Sequence, residues 1–245
     1  MRKFLALALL LAAQLPAAHG TPQEIAPVIH HEIEASLDPQ TGEIRVQDRL
    51  TLPEGGDSWD LVLHRDLDPR VVAGEADLRR VARDGHLELL RLTRHTPGPI
   101  TLAYGGRIRH GLTSTTEGMG RERQSTRGTI GPEGVFLDGG SGWYPRVEGS
   151  LQTFDLRVEL PEGWHAISQG AGPDREGHAG SAWSESQPQD DIYLIAAPFT
   201  LYREHGPGAE AQVWLRRPDP ELATRYLTAT REYLELYSGL IGPYP

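Results

Sequence analysis

The feature that most constrains this chain is an alternation of apolar and polar residues with a period of two, interrupted at short intervals by Pro and Gly. Ile44, Val46, Leu50 and Leu52 share one face of an extended segment, with Glu43, Arg45, Gln47, Arg49 and Thr51 on the other. That period belongs to a strand with one buried face. Asp48 is the single break in the stripe. The segment Val28 to Ala35 precedes it across Asp38-Pro39-Gln40-Thr41-Gly42, a turn signal that makes the two a hairpin. Phe154, Leu156, Val158 and Leu160 alternate with Thr153, Asp155, Arg157 and Glu159 in the clearest half-buried strand of the chain. Strands are also expected at Asp60–Leu63, Leu87–Leu92, Ile100–Tyr104 and Gln212–Leu215. The continuously apolar run Ile192 to Ala197 reads as a strand covered on both faces. With 28 Gly and 19 Pro to supply turns, the composition suits a mostly β protein. Residues 105–133 lose the pattern and read as a long loop, with a short strand near Arg107–Arg109.

The period changes once. Asp219 suits a helix N-cap and Pro220 a first helical position. Leu222, Tyr226, Tyr233, Leu234, Tyr237 and Leu240 then recur at helical spacing, and Gly239 and Gly242-Pro243 are stop signals. Such a stripe needs a cover. Either the cover is protein outside this chain, which makes the chain a fragment, or it is the sheet of the helix's own domain.

Met1-Arg2-Lys3, the apolar run Phe4 to Leu15 and the small residues Ala18 and Gly20 form the three parts of a secretory signal peptide over residues 1–20. The run is short of the roughly 20 residues that span a bilayer, so no stable membrane anchor is expected. The protein is expected to be exported, periplasmic or secreted. It has no cysteine, hence no disulfide framework and no thiolate metal site. A net charge of -10 argues against nucleic acid and anionic membranes as partners.

Local motifs give no catalytic site. His31-Glu32 opens like H-E-x-x-H, but position 35 is Ala35, and on a strand His30 and His31 point to opposite faces. Gly139-Gly140-Ser141-Gly142-Trp143 puts a tryptophan where a nucleophile elbow needs glycine, and reads as a tight turn. Gly172 to Gly177 has phosphate-loop spacing, but His178 and Ala179 replace the residues that would meet phosphate and magnesium. A hydrolytic His/Asp pair assembled only by folding stays open, as a third and weaker reading.

Three segments in order resemble one family. Gly134-Val135-Phe136-Leu137 leads to Trp143-Tyr144-Pro145, then to Phe154 through Leu160-Pro161-Glu162-Gly163-Trp164 and Ser168-Gln169-Gly170. Trp183 to Phe199 follows, and Tyr226 through Tyr237 ends in Gly242-Pro243-Tyr244-Pro245. Together they are similar to the N-terminal domain of the membrane alanyl aminopeptidases, zinc metallopeptidases of the gluzincin type, over most of residues 24–245.

The resemblance implies a saddle-like β-sandwich of antiparallel strands over residues 21–217. Residues 218–245 would be the helix and Gly-Pro-Tyr-Pro element that begin a thermolysin-like catalytic domain, missing here. It implies zinc in the full-length protein, held beyond Pro245, and no metal or cofactor in this chain, which lacks H-E-x-x-H and is expected to be inactive alone. The implied partners are the missing catalytic domain and, through it, peptide substrates. The family's front domain contributes a Gln or Glu that holds the substrate's α-ammonium shortly before the aromatic-Pro pair. The corresponding stretch, Leu137 to Ser141, lacks that Gln. Asp138 is its one carboxylate, either an ammonium partner or an ordinary turn residue. A different class of function, a free-standing secreted β-sandwich that binds a protein or glycan, requires the final helix to pack on its own sheet.

Overall fold

In a computed structural model, residues 26–117, 121–172, 181–206 and 209–243 are described, without the side chains of 114–117 and 121–125. The expected signal peptide and the Gly172–Gly177 segment beyond residue 172 lie outside these residues. In chain order the strands are β1 (Val28–Asp38), β2 (Glu43–Thr51), β3 (Ser58–His64), β4 (Arg70–Ala73), β5 (Ala76–Asp84), β6 (Leu87–Arg94), β7 (Ile100–Arg107), β8 (Thr113–Glu117) and β9 (Arg121–Ser125). They continue with β10 (Thr129–Gly131), β11 (Gly134–Leu137), β12 (Arg146–Val147), β13 (Leu151–Glu159), β14 (His165–Ile167), β15 (Ser181–Gln189), β16 (Leu194–Ala197), β17 (Thr200–His205) and β18 (Glu210–Leu215). The helix α1 (Pro220–Leu240) comes last.

The alternating segments are strands where the pattern predicts them. The six-stranded sheet runs β15-β13-β1-β2-β7-β4, and two four-stranded sheets run β12-β3-β6-β5 and β10-β11-β16-β14. Ile33, Ile44, Leu50, Phe154 and Leu156 of the large sheet share one buried core with Leu61, Leu63, Leu90 and Leu92 of the second sheet and Val135, Leu137 and Leu194 of the third. Each fully buried side chain of this size contributes about 1.5–3 kcal/mol. That apolar core stands in for the disulfides the chain lacks.

Among the described residues pairing is antiparallel with one exception: β1 lies parallel to β13, Val28 opposite Leu151 through Ser36 opposite Glu159. β1 is thereby central rather than the edge of a hairpin. The expected long loop over 105–133 is corrected by the structure. β8 and β9 pair as a hairpin, and β10 joins β11. Thr113, Thr115 and Thr116 supply the β-branched residues that favour an extended backbone, and their polarity hid the strand from an apolar-periodicity reading. β4 and β5 were equally hidden, because both lie largely exposed.

Asp219 caps α1 by accepting from the Leu222 N–H at 2.9 Å, and Pro220 follows it. The helix meets the hairpin β17–β18. Its buried residues are Ala223 and Leu227, whereas Tyr226, Tyr233, Tyr237 and Leu240 of the sequence stripe are exposed. None of the described helices is long and apolar enough to cross a membrane.

Candidate functional site at the Asp138 turn

The polar break at Asp48 sits against His31 in the core. Asp48 faces the core, where its Oδ2 lies 2.8 Å from His31 Nδ1. His31 Nε2 lies 2.9 Å from Gln152 Oε1, and Gln152 Nε2 donates to Ser150 Oγ at 2.7 Å. Both ring nitrogens of His31 thus face acceptor oxygens, and the group is fully buried. His30 points the other way, to Thr153 Oγ1 at 3.0 Å. The two histidines share no ligand site, as a strand dictates.

The segment after β11 is a single 3-10 turn over Gly139–Ser141. Asp138 caps it: Oδ1 accepts from the Ser141 N–H at 2.9 Å, and the Ser141 hydroxyl donates to the Asp138 carbonyl at 2.6 Å. Gly142 closes the turn in the left-handed region, at φ 65. Asp138, open in the sequence between an ammonium partner and a turn residue, spends one carboxylate oxygen on the turn, while Oδ2 has no hydrogen bond among the described residues.

Sequence reasoning missed the group beside it. A Cβ on Gly139 would lie 1.7 Å from Asp191 Oδ1, so the Asp191 carboxylate rests on the bare Cα of this glycine. Burial pushes the Asp191 carboxyl above the usual range, and the charges of Asp138 and Asp190 add to it against the opposing pull of Arg146. Two carboxylates thus approach each other at the base of the turn, one of them partly desolvated. Such a pair concentrates negative charge and suits a cationic group. Asp191 follows Asp190 in a polar stretch with no periodicity, so nothing in the sequence singled it out.

The motifs of the resemblance hold this arrangement together. Trp143 Nε1 donates to the Ile192 carbonyl at 2.9 Å, and the Ile192 N–H donates to Tyr144 Oη at 3.2 Å. The aromatic pair before Pro145 therefore clasps the backbone next to Asp191. Gln169 takes the other side, with Nε2 donating to the Asp191 carbonyl at 2.7 Å and Oε1 accepting from the Tyr193 N–H at 2.9 Å. Gly170 lets this segment approach β15, since a Cβ there would stand 2.2 Å from the Ser184 carbonyl oxygen.

No protein-family model matches the chain, and no curated protein matches it. Solved structures do. An aminopeptidase N family protein from Idiomarina loihiensis is similar over 89% of this chain and 37% of its own, at 13% identity and TM-score 0.56. Yeast LTA4 hydrolase is similar over 90% of this chain and 36% of its own, at 14% identity and TM-score 0.58. A variant of the M1 zinc metallopeptidase from Deinococcus radiodurans, bound to a Tyr-Ser-Ala substrate, is similar over 88% and 54%, at 17% identity and TM-score 0.53. The chain spans from about a third to about half the length of these proteins. Zinc is part of the name of the last. Among the described residues here, no group of three or more His, Cys, Asp or Glu side chains is placed to hold a metal, so these residues do not fit a zinc site. At such identities the likeness establishes the fold, and it is the fold of the M1 aminopeptidases over the share of them that this chain spans.

Proposed function

We propose that the chain is the non-catalytic N-terminal domain of an exported zinc aminopeptidase-like metallopeptidase, one that supports and walls the peptide cleft of a separate catalytic domain. The observation that carries this reading is the outer face of α1. Tyr233 is 60% exposed and Leu240 71%, and Tyr226, Leu236, Tyr237 and Ile241 are exposed with them. A contiguous apolar stripe of this kind marks an interaction surface, and the fold's relatives are peptidases larger than this chain. In this reading Asp138, with Asp191 beside it, faces the cleft and pairs with the α-ammonium of a peptide. The second reading, a free-standing secreted module that binds a protein or glycan, draws on the packing of Ala223 and Leu227 against the chain's own hairpin.

The two readings separate by experiment. The coding sequence beyond Pro245 is expected to encode H-E-x-x-H in frame or one base out of frame, and the purified chain is expected not to cleave aminoacyl-anilides even with zinc supplied. A natural stop codon directly after Pro245, with a soluble monomer that melts in one step, would establish the free-standing module instead. Zinc-dependent hydrolysis by the isolated chain would overturn both readings.

A further inference from the structure

His64 ends β3, His86 sits in the turn between β5 and β6, and His110 follows β7. Their ring centroids form a triangle with sides of 5.2, 5.5 and 5.8 Å. His64 is fully buried and the other two are half-buried. Nε2 of His64 and Nε2 of His110 stand 2.9 Å apart. That contact needs a proton on one nitrogen and a bare lone pair on the other.

The remaining partners decide which is which. The backbone N–H of Asp66 points at His64 Nδ1 from 3.3 Å, so Nδ1 is the acceptor and His64 carries its proton on Nε2. His110 Nε2 is then the acceptor of the pair, and the His110 proton sits on Nδ1. His86 Nε2 donates to the carbonyl of Gly140 at 2.9 Å. Both members of the pair are neutral in this arrangement. A proton added to His64 Nδ1 would oppose the Asp66 N–H, and one added to His110 Nε2 would oppose the His64 N–H.

The charged surroundings act in the same direction. Burial, the neighbouring imidazoles and the Arg65 guanidinium lower the His64 value to about 4, against the opposing Asp66 carboxylate 4.0 Å from Nδ1. His110 is also lowered, by burial first, then by His86, Arg127 and Arg65, again against Asp66. With two nitrogens bonded to each other and the third on a carbonyl, the three rings do not converge on a metal ion.

This cluster backs directly onto the Asp138 turn. The His64 N–H donates to the Gly142 carbonyl at 2.7 Å. A Cβ on Gly142 would meet Leu87 Cδ2 at 2.6 Å and the His64 backbone nitrogen at 2.7 Å. The turn is thus gripped at Gly140 and Gly142 by the residues bearing the rings, while Asp191 presses on Gly139 from another side.

The geometry points to a proton-operated latch: uptake of a solvent proton at His110 Nε2, where it meets the His64 Nε2–H, ends their shared hydrogen bond, drives the rings apart, and releases the grip of His86 on Gly140, so that the turn bearing Asp138 shifts between neutral and acidic solution. The device does not depend on what Asp138 binds.

Imidazole and amide NMR of the full chain between pH 7.5 and 4 tests it. At neutral pH His64 should show Nε2–H and His110 Nδ1–H. On acidification both rings and the amides of Gly140 to Trp143 should shift together. His110→Gln keeps an acceptor that does not titrate, and should move the amide transition down by at least one pH unit or abolish it. His86→Ala should keep the tautomer pair and lose the amide response. Reversed tautomers, rings that titrate while the turn amides stay still, or an unchanged transition in His110→Gln would each overturn the proposal. Should His110→Gln fail to fold, the tautomers and the joint titration of the unaltered chain decide it.

Discussion

His31, Asp48 and Gln152 occupy core positions that an alternating pattern reserves for apolar side chains. The sequence revealed Asp48 as a break in its stripe and His31 as an unsuitable metal ligand. It did not reveal that each is the reason for the other, because they lie on adjacent strands, with Asp48 opposite Ile33, two residues from His31. Removing one partner strands the other in the core, whereas replacing both with apolar groups removes the need. Asp48→Ala is therefore expected to cost about 3–5 kcal/mol in denaturant unfolding. The double substitution His31→Leu/Asp48→Leu should cost less than either single change, and costs that simply add would exclude a coupled pair. Asp191 offers the opposite case. Its carboxyl is raised by folding, so ionisation above that value weakens the native state. Asp191→Asn should raise the melting temperature at pH 7 by about 1–2 °C, an advantage that disappears below the ordinary carboxylate value of 3.8.

Long elements with one buried face were legible in the sequence, and the largely exposed β4 and β5 were not. β1, β2, β6 and β13 each bury alternate residues, β7 buries Ile100 and the run Leu102 to Tyr104, and all five were expected close to where they stand. β5 is exposed along most of its length, so no apolar period betrays it, and its residues pair on one side only, with β6. The site was half legible. Asp138 was reachable through the aromatic-Pro motif beside it, while the approach of Asp191 to Gly139 depends on the loop that leads into β16. The start of α1 was legible to the residue because capping is local chemistry. Asp219→Ala should destabilise the helix by about 1 kcal/mol, visible as faster amide exchange in its first turn. Exchange unchanged there would mean that Pro220, or the bond from the Asp219 N–H to Tyr202 Oη, sets the start instead.

For the molecule as a whole, the lowered histidines set a direction for acid stability. His64 and His110 bind protons more readily unfolded, where 6.5 is the ordinary value, than folded. Native stability should therefore fall as the pH drops from about 6.5 towards 4, by about 2–3 kcal/mol for the buried His64 alone. Urea melts at pH 7.0, 5.5 and 4.5 measure this directly. A midpoint that holds steady across that range would mean that the rings are protonated in the native state. The exposed stripe of α1 has its own signature at this scale. If a catalytic domain covers it, the isolated chain should self-associate with rising concentration, and Tyr233→Glu with Leu240→Glu should return it to a monomer by sedimentation. A monomer without those changes would favour the free-standing module.

The parallel alignment of β1 and β13 bears on how this chain comes to be folded at all. His30 and Thr153, in contact across it, are separated by 123 positions. As the chain leaves the ribosome, β1 must wait for more than half of the polypeptide before its second neighbour exists. Closing so large a circuit is slow, and until it closes one rim of β1 stays open to pairing with other chains. A holding chaperone during synthesis is therefore a sharper requirement here than for a protein assembled from nearest neighbours.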